Sequence, residues 1–208
     1  MALVAIRVCD GAEMEAFALS SEEWRTLQRQ PLGTFVMPGT SWPAILKTSI
    51  RGLQFFAHAP GYVGSNPEPE TEEHRAAKLS IVLALRSAGF TAKVEQPGKT
   101  PNGHEWQADV LCVIDGQPLA FEVQVSQQTL EEYRSRTQRY LDSGVRSIWL
   151  VRAPGHFKAL SKALFYDALK AGTPAQVRPA FAKQDLPVFP LEFEHRKEEP
   201  VPEIRTVG

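Results

Sequence analysis

The segment from Trp106 to Val125 restricts the fold more than any other stretch of the chain. Two runs rich in apolar and β-branched residues, 106–114 and 119–125, flank Asp115-Gly116. An Asp-Gly pair between such runs marks a hairpin, because both residues tolerate the positive φ that a two-residue turn requires. With that turn Ile114 faces Gln117, and pairing carried down the strands sets Asp109 opposite Glu122. Cross-strand partners of this kind have Cβ atoms roughly 4.5–5.5 Å apart. Strand side chains alternate, so Glu122 and Gln124 share one face, with Gln107 opposite Gln124. Trp106, Ala108, Val110 and Cys112 then meet Phe121, Val123 and Val125 on a core face.

Two opposed carboxylates repel unless something neutralises them. Either one is protonated or a cation sits between them. A hard divalent ion such as Mg²⁺ suits one or two carboxylates plus water and phosphate oxygens. It can activate water and stabilise charge at a scissile phosphate. The plainer alternative is an exposed edge hairpin with solvated acids. Apolar neighbours on both faces, among them Ala108, Val110, Leu111, Val113, Phe121 and Val123, favour the metal site.

The rest of the chain is globular in character: 208 residues, 43% hydrophobic and 23% charged. That composition supports a sizeable core without a staple. A net charge of −1 carries no global basic signature, so any nucleic-acid surface must be local. Cys9 and Cys112 are far apart and lack the spacing of a zinc site or a disulfide framework. The short apolar start, Ala2 to Ile6, has no cleavage pattern after it, and no run approaches a membrane span. A cytoplasmic protein with no membrane partner is the expectation.

No internal repeat is present. Leu3–Val8 alternates as a strand, and Ser20 with Glu23 forms a capping box opening a short helix through Trp24 and Leu27. Residues 44–58 suggest a strand pair or a strand with a loop, and the Pro/Gly/Asn-rich stretch near 60–70 suggests a boundary. A helix is predicted over 71–88 from Ala77, Ile81, Ala84, Leu85 and Ala88, closed by Gly89. A strand at about 90–95, the hairpin, a helix from near Ser126 to Gly144 and a buried strand over 145–151 follow. Tyr140 and Trp149 are assigned to the core. A helix over 156–171 and a Pro-rich tail with a charged cluster, His195 to Glu199, complete the chain. The expected organisation is an N-terminal module (1–65), a core (66–155) and a C-terminal helix and tail (156–208).

Ala108-Asp109-Val110 followed by Phe121-Glu122-Val123-Gln124, in the order helix, three strands, helix, strand, resembles the PD-(D/E)XK nuclease superfamily. More narrowly it is similar to the competence protein CoiA-like family. The match adds Glu73-His74 and Lys78 on the first helix, Gln124-Val125-Ser126, Arg136-Thr137 and Tyr140, Gly144 and Trp149-Leu150. It covers about residues 70–152.

The resemblance implies an α/β, restriction-endonuclease-like core (α-β-β-β-α-β) with a small N-terminal module and a helical or extended C-terminal tail. It implies a Mg²⁺- or Mn²⁺-dependent deoxyribonuclease acting in DNA uptake, recombination or defence, with DNA and a recruiting protein as partners. The alternative is an inactive nucleic-acid-binding protein that keeps the fold. Asp109, Glu122 and the Val123 carbonyl would hold the ion, with Glu73 as a further ligand. Gln124 stands where the superfamily has lysine. An amide can orient water or a phosphate oxygen but brings no charge, so Lys78 is either a substitute or a solvated helix residue. His74 and Arg136 would approach nucleic acid. Ser126 either continues the Glu122/Gln124 face or caps the next helix, while Arg134 and Arg139 either meet phosphate or are solvated and paired with Glu131 and Glu132. Relatives carry a small zinc element before a Phe-Ala-His segment. Here Met37-Pro38-Gly39-Thr40 replaces its cysteines, so no zinc is expected and His58 is a packing residue.

Overall fold

The computed structural model describes residues 2–64, 70–171, 186–194 and 203–206. The cluster His195–Glu199 lies outside them. The chain divides into two compact units, Met1–Leu79 with His195–Pro202, and Ser80–Glu194 with Glu203–Gly208. Among the described residues no helix is long and apolar enough to cross a membrane.

In the first unit β1 (Val4–Arg7) pairs antiparallel with β2 (Glu13–Glu15) and β3 (Phe35–Val36), while β4 (Ala44–Thr48) and β5 (Gln54–His58) form a two-stranded ladder. The expected strand pair over 44–58 is this ladder. Helix α1 (Ser21–Leu27) opens with the expected capping box, Ser20 accepting from the Glu23 amide and Glu23 reaching back to Ser20. Its Trp24 packs edge-on to Phe56 at 5.1 Å, in a core with Phe35, Met37 and Ala44.

Helix α2 (Glu72–Ser87) runs from the first unit into the second. Its buried stripe is Ala76, Ala77, Leu79 and Val82; Ala84 and Ala88, expected in the core, are exposed. At the C-terminal turn Arg86 folds back to donate twice to the Ala92 carbonyl, at 2.9 and 2.7 Å.

The second unit is built on a six-stranded mixed sheet in the order β11-β10-β9-β8-β7-β6. Its strands are β6 (Ala92–Lys99), β7 (Glu105–Ile114), β8 (Gln117–Gln124), β9 (Arg146–Arg152), β10 (Val188–Glu194) and β11 (Glu203–Thr206). Strands β6 to β8 form an antiparallel meander, and β9 runs parallel to β8. The C-terminal segment, expected as a tail, instead supplies β10, parallel to β9, and β11. Asp115 and Gly116 have φ of 50° and 76°, as the two-residue turn demands, and Ile114 pairs with Gln117.

Helices α3 (Leu130–Asp142) and α4 (Gly155–Ala171) cover part of the sheet. Tyr133 of α3 and Leu160 and Leu164 of α4 enclose Trp149 and Val151 of β9. Helix α3 begins four residues later than expected because Thr129, not Ser126, is its cap, in a box with Glu132.

Candidate metal and nucleic-acid site

In the second unit the geometry turns on a gap in two ladders. Strand β7 pairs with β6 on both sides of Asp109, but Glu95, the residue across from it, takes φ of 53° and drops out of register. A non-glycine residue in that region stores strain on the order of 1–3 kcal/mol. The β7–β8 ladder stops at Val110↔Phe121, one step short of Asp109. Asp109 therefore sits at the interruption of both ladders.

Side chains replace the missing ladder bonds. The Val123 amide donates to Asp109 Oδ2 at 2.8 Å, and the Asp109 amide donates to Glu122 Oε1 at 3.3 Å. Each carboxylate is thus tied to the backbone of the opposing strand. The interruption also resets strand alternation. Trp106 and Ala108 pack with Tyr140, Ala120 and Val145, and so does Leu111. The expectation that Trp106, Ala108, Val110 and Cys112 share one face fails at Asp109 for this reason. Gln107 does not pair with Gln124 either. It donates to the Glu95 carbonyl at 2.9 Å, while β8 continues alongside β9 with Gln124 at Val151.

Glu122 is completely buried. Oε1 also accepts from the Tyr140 hydroxyl at 2.5 Å, and Oε2 is ion-paired with Arg136 Nη2. Both partners come from α3, which presents them one turn apart. The Arg136 guanidinium lies 4.7 Å from the Trp149 ring centroid, and Trp149 donates to Thr137 at 2.9 Å. Burial, reinforced by Asp109, pushes Glu122 up to about 7 against the pull of Arg136 and Tyr140. Burial and the neighbouring Glu122 push the Tyr140 phenol well above its ordinary range, so it acts as a donor.

Gln124 is buried, and its amide nitrogen donates to Ser126 twice, to the carbonyl at 3.0 Å and to Oγ at 2.9 Å. Ser126 is therefore the partner of Gln124 rather than a helix cap. Arg134 pairs with Asp167 of α4 at 2.6 Å, not with Glu131 or Glu132, and Glu132 is engaged by Thr129. Arg136, expected at phosphate, is here seated on Glu122.

In the first unit, Glu70 gathers the residues singled out on α2. Its Oε1 lies 2.7 Å from His74 Nδ1 and 2.5 Å from Lys78 Nζ. Burial alone would raise the Glu70 carboxyl, but Lys78 and His74 outweigh it and hold it below its ordinary value. Lys78 is buried, so the solvated reading is excluded. Glu73 lies half-buried on the first turn of α2. Glu70 was missed because it precedes the helix and falls outside the Glu73-His74 pattern. The spacing of an acid four residues before His74 and eight before Lys78 was the available signal. His58, also in this unit, meets Thr40 Oγ1 at 3.0 Å and stacks on Tyr62 at 4.0 Å, a packed histidine.

In the second unit, half-buried Asp109 and fully buried Glu122 thus lie at the meander's interruption, beside a helix and a parallel strand. Residues 70–166 match the family model described as competence protein CoiA, nuclease-like domain. No curated protein matches the chain. Among solved structures, SfsA of Pyrococcus furiosus in complex with Ca²⁺ is 10% identical over 81% of this chain and 76% of that one, with a TM-score of 0.38. A protein of unknown function, AF1548, is 20% identical over 38% of this chain, with a TM-score of 0.31. The match spans 46% of that protein's length.

Proposed function

We propose that this domain hydrolyses phosphodiester bonds in DNA with Mg²⁺ or Mn²⁺. The observation that carries the reading is the reciprocal contact of Asp109 and Glu122 across the ladder gap. The donor set fits a hard divalent ion: two carboxylates on adjacent strands, one of them wholly buried, each held by a backbone amide of the opposing strand. Asp109, Glu122 and the Val123 carbonyl would hold it. Such an ion supplies charge stabilisation at the scissile phosphate and activation of water.

Within this reading Gln124 is committed through its amide nitrogen to Ser126, so its carbonyl oxygen is the atom that accepts from a water and orients it. Tyr140 fixes the rotamer of Glu122. The roles of Glu73, His74 and Lys78 follow the family pattern, with Glu70 setting the position of the last two. DNA as the substrate also follows the family.

One observation favours a second reading, a nucleic-acid-binding protein without turnover. Glu122 is already satisfied by protein groups, and no lysine follows it on β8. Cleavage of labelled single- and double-stranded DNA in Mg²⁺, Mn²⁺ or EDTA separates the two. A nuclease cuts in the metals and not in EDTA, and loses cutting in Asp109→Ala and Glu122→Gln. A binder shows salt-dependent affinity without cutting, and Asp109→Ala leaves that affinity unchanged.

A further inference from the structure

The guanidinium of Arg136 stands where a metal ion bound to Glu122 would have to compete. We infer that Arg136 is the resident counter-ion of Glu122 in the metal-free protein, and that a divalent ion loads by taking Glu122 away from it. The inference rests on the metal reading above and adds a residue that sets how tightly the site binds its ion.

Three observations support it. Glu122 has no solvent to stabilise its charge, and among the described residues the cation paired with it is Arg136. Its other oxygen is held by Tyr140 and the Asp109 amide, so the carboxylate is fixed and exchange occurs at Oε2. Arg136, by contrast, has somewhere to go. Its side chain keeps 29% of its surface exposed, and its planar group rests on Trp149 at 4.7 Å rather than in a cage of acceptors. Guanidinium stacks well on an aromatic face and is weakly hydrated, so sliding off Oε2 along the Trp149 ring strands no buried polar group. Tyr140 and Asp109, tied to the strands, have no such freedom.

Two positive charges near one carboxylate oppose each other, so removing the guanidinium must strengthen metal binding. The test is Mn²⁺ titration calorimetry on the full chain, in wild type, Arg136→Met and Arg136→Lys, with Asp109→Ala as the control for site occupancy. Arg136→Met retains an unbranched stem over Trp149 and should bind Mn²⁺ on the order of tenfold more tightly than wild type. Arg136→Lys, a point charge without the planar fork, should fall between them. Equal or weaker binding in both variants overturns the inference. A wild-type measurement covers variants that do not fold: the Arg136 guanidinium NMR signal should shift as Mg²⁺ is added, and a signal that stays put while the ion binds overturns the inference.

The two readings fail differently. Mn²⁺ binding that Asp109→Ala does not weaken removes the metal site itself. Binding that Asp109→Ala abolishes but Arg136→Met does not strengthen removes only the exchange.

Discussion

Arg136 of α3 and Glu122 of β8 form an ion pair whose acidic member is wholly buried. From the sequence, two opposed acids called for either a proton or a metal ion. The fold supplies a third solution, a guanidinium delivered by the next helix. The pair neutralises Glu122 without a ligand, which explains how a fully enclosed carboxylate survives in the metal-free protein.

The raised titration of Glu122 has a consequence for stability. Burial and Asp109 lift it from 4.5 to about 7, so over that interval the folded state binds a proton that the unfolded chain has released. Stability of the metal-free protein should therefore fall as pH rises from about 4.5 to 7 and flatten above. Thermal melts in EDTA across this range, wild type against Glu122→Gln, isolate the effect. A wild-type-minus-variant difference that is the same at both ends would show that Glu122 does not titrate there.

Tyr140→Phe should cost about 1–2 kcal/mol, because the hydroxyl donates to a buried carboxylate that solvent cannot reach. The ring's edge-on contact with Trp106 at 5.0 Å is retained, so the loss reports the hydroxyl's contacts with Glu122 and the Gln107 carbonyl together. Urea denaturation reads it directly, and an unchanged midpoint would mean that the hydroxyl adds no net stability.

The two residues that compete to start α3 give opposite expectations. Thr129→Ala removes the cap and should cost about 1 kcal/mol. Ser126→Ala leaves the helix capped and should lower stability by less, while releasing the Gln124 amide. A larger loss in Ser126→Ala would move the helix start back to where the sequence suggested.

Glu70→Gln should destabilise the protein by about 3 kcal/mol, since it removes the charge of Glu70 from its ion pair with the buried Lys78. Adding Lys78→Met should recover part of that loss. Additive losses in the double-mutant cycle would show that the two residues are not coupled.

Local chemistry carried much of the second unit. The Asp-Gly turn, the Ile114–Gln117 register and the pairing up to Val110↔Phe121 all follow from backbone preference and period-two alternation. The Ser20 box of α1 was equally legible, being a contact within four residues. The alternation misled at Asp109, where a positive φ at Glu95 on another strand interrupts the ladder. That displacement has no mark in the sequence of β7 itself. The C-terminal strand β10 was hidden too, because its pairing with β9 can form only once β9 is in place.

The sequence by itself determined that Asp109 and Glu122 would lie on neighbouring strands, since turn geometry and alternation act over a few residues. Only the tertiary structure decided what each carboxylate touches. Arg136 and Tyr140 reach Glu122 because α3 packs across β8 and β9, and Glu70 rather than a residue of the expected pattern gathers His74 and Lys78. Such partners are chosen by the packing of whole elements and by the demand that every buried charge be answered, conditions that exist only once the chain has folded.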